Sequence, residues 1–283
     1  MFDRIANSFA LARSSWEVLK RDKQLVLFPV LSGIGCVLVT LSFAVPLAVV
    51  ALRGGFDQMQ DNGQVPVWVY PLAFAFYFCN YFVIVFCNAA LISCALVRFG
   101  GETPTLADGF RAAASRLPQI LAWALVSATV GVLLKAIENA HEKGGEFISA
   151  LLGTAWTVVT YFVVPVLVVE KVGPLQAVRR SVTILKATWG EALVGHWGLG
   201  FFLFLLTLPG ILLLVGGAAV CAKAVPVGLA LIAVAVVYLL AASAAGSALS
   251  TLFLSALYQY AAFNQVPVGF ASGELAGAFT TKQ

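Results

Sequence analysis

The chain has 283 residues, of which 61% are hydrophobic and 11% are charged, and its formal net charge is +4. Soluble domains carry roughly 25% charged residues, so this sequence has too few charges to cover a water-facing surface. Several apolar stretches exceed the roughly 20 residues that cross a bilayer as a helix. The composition therefore predicts a polytopic α-helical membrane protein. Because the basic residues lie beside the apolar stretches, membrane topology explains the positive charge, and no nucleic-acid partner is expected.

The first predicted element is an amphipathic helix over residues 4–20, which we call the first interface helix. Its apolar face is formed by Ile5, Phe9, Ala12, Trp16 and Leu19. The charged cluster Lys20–Lys23 then precedes span 1, at about residues 25–51. This apolar stretch is too long for the core of a signal peptide, so we expect it to be retained as a membrane span.

A polar loop leads to span 2, at about residues 66–97, and a Gly-Gly-Glu-Thr-Pro elbow follows it. The elbow predicts Thr103 as a helix N-cap and Pro104 as the first helical residue. The second interface helix begins there, and its apolar face is formed by Leu106, Phe110, Ala113 and Leu117.

Span 3 is predicted at about residues 118–134 and span 4 at about residues 147–169. Lys135 and Glu138 follow span 3 at i,i+3 spacing, so we expect them to form an ion pair that reaches out of the membrane.

The third interface helix follows the elbow at Gly173-Pro174, since proline suits the first turn of a helix. Its apolar arc is formed by Leu175, Val178, Val182, Leu185 and Trp189, and Ile184 falls outside this arc. The polar residues Gln176, Arg179, Thr183 and Lys186 lie beside the arc. A basic amphipathic helix of this kind is typical of a membrane interface. Spans 5 and 6 follow at about residues 192–217 and 225–257.

The unit of elbow, interface helix and two spans occurs three times, beginning near residues 2, 104 and 174. The repeats cover about residues 2–98, 99–170 and 171–262 of one membrane domain, residues 1–283, with a C-terminal tail at residues 263–283. Residues 264–270 of the tail resemble a fourth elbow. The pattern predicts an all-α membrane protein with six transmembrane helices, three cytoplasmic amphipathic helices and a threefold internal repeat.

The distribution of basic residues predicts the orientation. Thirteen of the 17 lysine and arginine residues lie on the side that holds both termini and the three interface helices. By the positive-inside rule, this side is cytoplasmic.

The six predicted spans contain no Asp, Glu, Lys or Arg, which argues against an ion-coupled transporter. The candidate intramembrane polar residues are Asn80 and Asn88 in span 2 and His196 in span 5. Hydrogen bonds between helices, or interfacial anchoring for His196, are the favoured explanation, and a substrate site is the alternative. Pro165 and Pro209 are expected to kink helices near their ends rather than to break a span.

The basic residues of the interface helices are candidate contacts for anionic lipid or a protein partner: Arg13, Arg111, Arg116, Arg179, Arg180 and Lys186. Simple anchoring by the positive-inside rule is the alternative explanation.

A stretch of small residues, Ala241–Ser250, predicts close helix packing inside the protein or in a homo-oligomer. The sequence contains no catalytic motif, so an enzyme is not expected, and neither a cofactor nor a metal ion is expected.

Several motifs carry a family resemblance: Ser15-Trp16, Asp22, Leu27–Gly33, Trp123, Val164–Glu170, Arg180-Ser181, Trp189–Glu191, Tyr260-Ala261 and Gly269-Phe270. They resemble an uncharacterised bacterial domain-of-unknown-function family of six-span integral membrane proteins. The resemblance implies the bacterial inner membrane and the six-span topology, and it implies no activity. The chain is more loosely similar to the membrane domain of some glycerophosphodiester phosphodiesterases, but their catalytic domain and its acidic metal ligands are missing.

Two hypotheses for function follow. The first is a non-enzymatic membrane scaffold or lipid- or partner-binding protein that acts through its basic interface helices. The alternative is a channel or transporter for a neutral or lipid-like solute, with Asn80, Asn88 and His196 lining its path.

Overall fold

The computed structural model describes residues 13–52, 68–140, 144–187 and 189–268, and for residues 139–140, 187 and 189–198 it describes the backbone alone. Within these residues every regular element is a helix. Six of the helical segments are long and apolar enough to cross a membrane. The six predicted spans are confirmed at this level, and the chain is a multi-pass membrane protein.

Ten α-helices make up the described chain. They are α1 (residues 13–21), α2 (Leu27–Leu52), α3 (Val69–Phe99), α4 (Leu106–Ala114), α5 (Leu117–Ala140), α6 (Gly145–Val159), α7 (Val163–Glu170), α8 (Pro174–Ala187), α9 (Trp189–Cys221) and α10 (Val225–Phe263). A short 3₁₀ helix, Lys23–Val26, leads into α2. Spans 1, 2, 3, 5 and 6 are α2, α3, α5, α9 and α10, and span 4 consists of α6 and α7. The short helices α1, α4 and α8 occupy the positions of the three predicted interface helices.

The chain divides into two compact units. Unit 1 consists of Met1–Val30, Leu91–Gly109 and Ile184–Gln283, and unit 2 consists of Leu31–Ala90 and Phe110–Thr183. The boundaries fall inside α2, α3, α4 and α8. The single membrane domain with its three repeats stays a prediction.

In unit 1, α9 and α10 form an antiparallel hairpin held close by glycines. A Cβ atom added to Gly217 would lie 3.0 Å from the side chain of Ile232, and one added to Gly246 would lie 3.1 Å from that of Leu203. Such contacts require backbones that approach closely. Gly246 belongs to the small-residue stretch of span 6, so this part of the stretch packs within the chain.

Pro209 lies inside α9, and not at its end as expected. A proline in a helix lacks the N–H that would bond to the carbonyl four residues earlier, which here is Leu205, and it tilts the helix. The hydroxyl of Tyr238 on α10 donates a hydrogen bond to the neighbouring carbonyl of Leu206, at 2.7 Å. Span 6 thus supplies a donor to the backbone of span 5 near Pro209.

Within unit 1, the C-terminal tail bonds to the end of α3. Asn264 ends α10 in the left-handed conformation, and the N–H of Val268 donates to the carbonyl of Phe99, at 3.1 Å. Nearby in the fold of this unit, Oδ2 of Asp22 lies 2.8 Å from Nε of Arg98. Residues 269–270 of the predicted fourth elbow lie outside the described residues.

In unit 2, α5 and α6 form a second antiparallel hairpin. The rings of Trp123 and Trp156 stack with their centroids 5.7 Å apart, and the hydroxyl of Ser149 donates to the carbonyl of Leu134, at 3.1 Å. The predicted ion pair at the end of span 3 is confirmed, since Nζ of Lys135 lies 2.6 Å from Oε1 of Glu138.

The close turn between α9 and α10 predicts different effects for two glycine substitutions. A Cβ atom at Gly228 would lie 2.3 Å from Sγ and 2.5 Å from the backbone nitrogen of Cys221, so Gly228→Ala must open the turn. A Cβ atom at Gly216 would meet nothing within 4 Å. We expect Gly228→Ala to lower the thermal unfolding midpoint in detergent, and Gly216→Ala to leave it unchanged or raise stability by up to about 1 kcal/mol. Equal effects of the two variants would contradict the close turn.

Candidate functional site

Span 4 is interrupted, although the sequence predicts one continuous helix. Its first helix, α6, ends at Val159, and α7 begins at Val163. The interruption lies four residues before Pro165, whose ring clashes with the carbonyl of residue 161 in a regular helix. The N–H of Val163 bonds instead to the carbonyl of Thr160, at 3.0 Å and three residues back. The expectation that Pro165 merely kinks the end of the span is therefore wrong, because the break lies well inside span 4.

The hydroxyl of Ser181 on α8 bridges this break. It accepts a hydrogen bond from the N–H of Phe162, at 3.1 Å, and donates one to the carbonyl of Val159, at 2.7 Å. Ser181 is fully buried. One side chain thus satisfies a donor and an acceptor that the interrupted helix leaves open, and it fixes α8 against span 4.

Two of the predicted basic contacts are engaged within unit 2. Nε of Arg180 lies 2.9 Å from Oε1 of Glu170, the last residue of α7. Nε of Arg116 donates to the carbonyl of Val168, at 3.4 Å. Cations placed at the carboxyl end of a helix are favourable, because the last carbonyl groups carry partial negative charge. Arg116 and Arg180 therefore stabilise the end of α7.

Helix α8 has three different faces. The packed face consists of Ala177, Ser181, Ile184 and Leu185, which are buried. The basic face is exposed and consists of Gln176, Arg179, Thr183 and Lys186. An apolar strip lies between them, with Leu175 75% exposed and Val178 and Val182 half-buried.

The packed face differs from the apolar arc that the sequence predicts for this helix. Leu175 belongs to the predicted arc and is exposed, whereas Ile184 falls outside it and is 3% exposed. The reason is the inward position of Ser181, which turns the helix so that Ile184, three residues later, points to the protein. The predicted arc is mostly the apolar strip, beside the packed face.

Arg179 and Lys186 are the exposed cations of α8. Among the described residues, neither forms an ion pair. They lie seven residues apart on one helix, so they project from the same side, about 10 Å apart along the helix axis.

Helices α1 and α8 share residue letters as well as the amphipathic pattern. Arg13–Lys20 and Arg179–Lys186 both follow the order Arg-x-Ser-x-x-(Val/Ile)-Leu-Lys. Ser15, Val18 and Leu19 are buried like their counterparts in α8, and Arg13 and Lys20 are exposed. Arg13 lies 3.7 Å from Glu17, and Nζ of Lys20 lies 5.7 Å from the ring centre of Trp16.

Helix α4 begins two residues later than predicted. It starts at Leu106, and the hydroxyl of Thr105 pairs with the carboxylate of Asp108 and accepts the N–H of Asp108, at 3.2 Å. This reciprocal arrangement makes Thr105 the N-cap instead of Thr103. Arg111 of this helix is exposed, and Phe110 stacks on Phe86 of α3, with centroids 6.0 Å apart.

The candidate intramembrane polar residues are placed as follows. Asn80 donates through its side-chain amide to the carbonyl of Phe76, one turn earlier in α3, at 2.9 Å. Asn88 lies about two turns further along α3 and is half-buried. His196 lies in α9, where the structure describes the backbone but not its side chain. A shared polar site of these three residues stays a prediction.

Comparison with known proteins identifies one family. The sequence model of a family of unknown function, DUF6159, matches residues 67–268. Searches of curated proteins and of solved structures returned no match. The looser similarity to the membrane domain of glycerophosphodiester phosphodiesterases stays a prediction.

The bridge at the break of span 4 predicts that removing the hydroxyl of Ser181 lowers the stability of the protein. Ser181→Ala leaves the N–H of Phe162 and the carbonyl of Val159 without this partner, so we expect a loss of about 2 kcal/mol in the free energy of unfolding. Thr183→Ala is the control on the same helix, since the exposed Thr183 bonds only to the carbonyl of Arg179 in its own helix, at 3.0 Å. Chemical unfolding in mixed micelles measures both. A Ser181→Ala protein as stable as Thr183→Ala would contradict the bridge.

Proposed function

The chain belongs to the DUF6159 family, whose function is unknown, and we propose that it is a non-enzymatic membrane protein that binds anionic lipid headgroups through its basic interfacial helices. The observation that carries this proposal is the arrangement of α8, in which Arg179 and Lys186 are exposed beside an exposed apolar strip.

The three faces of α8 suit the three surroundings of a membrane interface. On the packed face, Ser181 bonds to the break of span 4. The apolar strip of Leu175, Val178 and Val182 enters the acyl boundary, and Arg179 and Lys186 reach the phosphates above it. Leu175 is 75% exposed, which is unfavourable for an apolar side chain in water. At a membrane interface the same side chain is buried in lipid.

A second copy of the same arrangement supports the proposal. The matching letters of α1 and α8 give Arg13 and Lys20 the positions of Arg179 and Lys186. We extend the proposal to all three short helices as amphipathic interface helices of a threefold repeat. They and both termini face the cytoplasm in the bacterial inner membrane, which the excess of lysine and arginine on that side supports.

The basic residues of unit 2 and α8 differ in whether they already bond to other protein groups. Arg180 and Arg116 bond to the end of α7, so their headgroup contacts would compete with existing bonds. Arg179 and Lys186 have no such competition among the described residues. They are therefore the headgroup contacts that we propose for α8.

A channel or transporter for a neutral or lipid-like solute is the second candidate. The interruption of span 4 favours it, because transporters often form their sites where helices are broken. In this chain, however, Ser181 already bonds to the N–H of Phe162 and the carbonyl of Val159. Backbone groups with partners are poor ligands for a solute, so lipid binding is the function that the geometry favours.

Removing the two exposed cations of α8 tests the proposal. A basic residue near an anionic membrane surface contributes about 1 kcal/mol, so we expect Arg179→Gln/Lys186→Gln to bind phosphatidylglycerol roughly 30-fold more weakly at low salt. Native mass spectrometry of the purified protein, titrated with phosphatidylglycerol or phosphatidylcholine, measures the change. Binding of phosphatidylcholine should not change.

The control is Lys223→Gln, which removes an exposed cation from the turn between spans 5 and 6. This variant should bind phosphatidylglycerol like the wild type. Unchanged binding in the double variant would refute the lipid proposal. A different outcome is that a protein co-purifies from membranes with the wild type and not with the double variant, while lipid binding stays unchanged. In that case, the exposed cations of α8 would bind a protein partner and not lipid.

A further inference from the structure

Spans 1 and 2 border an apolar cavity of about 440 Å³ in unit 2. Its walls are formed by Phe43, Ala44 and Leu47 of α2 and by Leu72, Ala73 and Phe76 of α3. The rings of Phe43 and Phe76 meet edge to face, with centroids 5.6 Å apart. Trp68, the residue before α3, also lines the cavity, eight residues from Phe76 in the chain.

The chemistry of the walls selects an apolar occupant. Thr40 carries the only hydroxyl among the described lining residues, and it already donates to the carbonyl of Cys36, at 2.8 Å. A buried water needs two to four polar partners, and a polar solute needs similar contacts. Apart from the indole N–H of Trp68, the other lining side chains are apolar, so hydrocarbon is the occupant that the walls favour.

The surroundings of the cavity are also hydrocarbon. Both walls belong to helical segments that are long and apolar enough to cross a membrane, Lys23–Leu52 and Val69–Phe99. Leu41 and Val45 of α2 lie beside the cavity and are more than half exposed. In a membrane, this exposed side of α2 therefore meets the acyl chains of the bilayer and not water.

The stretch of chain that lines the cavity on the α3 side is about as long as one leaflet is thick. Eight residues of helix separate Trp68 from Phe76, which corresponds to about 12 Å, and one leaflet of the hydrocarbon core is about 15 Å thick. Trp68 is 44% exposed, and tryptophan prefers the level of the headgroups. A chain that enters beside Trp68 would run past Leu72 and end at Phe43 and Phe76.

We propose that this cavity binds one acyl chain of a membrane phospholipid, whose headgroup lies at the level of Trp68. The site is separate from the headgroup contacts of α8, since it contains neither a basic residue nor any part of that helix. It selects for the chain of the lipid and not for its charge. Failure of either proposal leaves the other standing.

Filling the cavity tests the proposal. The protein is purified in a mild detergent, and native mass spectrometry counts the phospholipids that remain bound. We expect one tightly held phospholipid in the wild type and at least a tenfold lower occupancy in Ala44→Phe/Ala73→Phe. The matched control is Ala48→Phe, which adds the same ring to an exposed position one turn along α2, outside the lining. This control should retain the lipid.

A second measurement uses wild-type protein from which detergent exchange has removed the bound phospholipid. One equivalent of phospholipid with brominated acyl chains should quench part of the tryptophan fluorescence of the wild type, and Trp68→Phe should remove that part. Equal lipid occupancy in the wild type and the filled variant would overturn the proposal. Quenching that persists unchanged in Trp68→Phe, or retention of an apolar molecule that has no headgroup, would overturn it as well.

Discussion

Inside a membrane, a backbone N–H or carbonyl without a partner costs several kcal/mol, and Pro165 creates this cost in the middle of span 4. The hydroxyl of Ser181 removes it by bonding to both sides of the break. Once Ser181 faces inward, the 100° step of the helix decides the direction of every other side chain in α8. Ile184 must pack, and Arg179 and Lys186 must project outward. The exposure of the proposed lipid contacts therefore depends on a hydrogen bond that none of them makes.

Span 5 meets the same constraint with a different residue. Pro209 interrupts the hydrogen bonds of α9, and the phenol of Tyr238 reaches from the next span to the carbonyl of Leu206. In both places, a proline removes a backbone hydrogen bond from a span, and a hydroxyl from the following element bonds to the backbone nearby. At both prolines, a hydrogen bond thus connects the span to a neighbouring element. The hydroxyl that forms this bond belongs to the element that comes next in the chain.

The six spans and three short helices were predictable, because apolar length, elbows and helical periodicity are local properties. The rotation of α8 was not, since Leu175 and Ile184 are equally apolar and the bond of Ser181 to span 4 decides which one is buried. The N-cap at Thr105 depends on Asp108, which the Gly-Gly-Glu-Thr-Pro elbow does not include. For the candidate site, Arg179 and Lys186 could be named from the charge pattern. The partners of Arg116 and Arg180 lie 52 and 10 residues away, and spacing alone does not reveal them.

The hairpin of α9 and α10 has a consequence for how the protein is made. Gly228 and Gly246 are 18 residues apart, five full helical turns, so both lie on one side of α10 and contact α9 over about 27 Å. All of these contacts join residues of two consecutive helices linked by a short turn. Contacts that are close in sequence form quickly, because little chain entropy is lost in closing them. During synthesis, spans 5 and 6 can therefore enter the bilayer as a pre-paired unit, and their association does not have to wait for the rest of the chain.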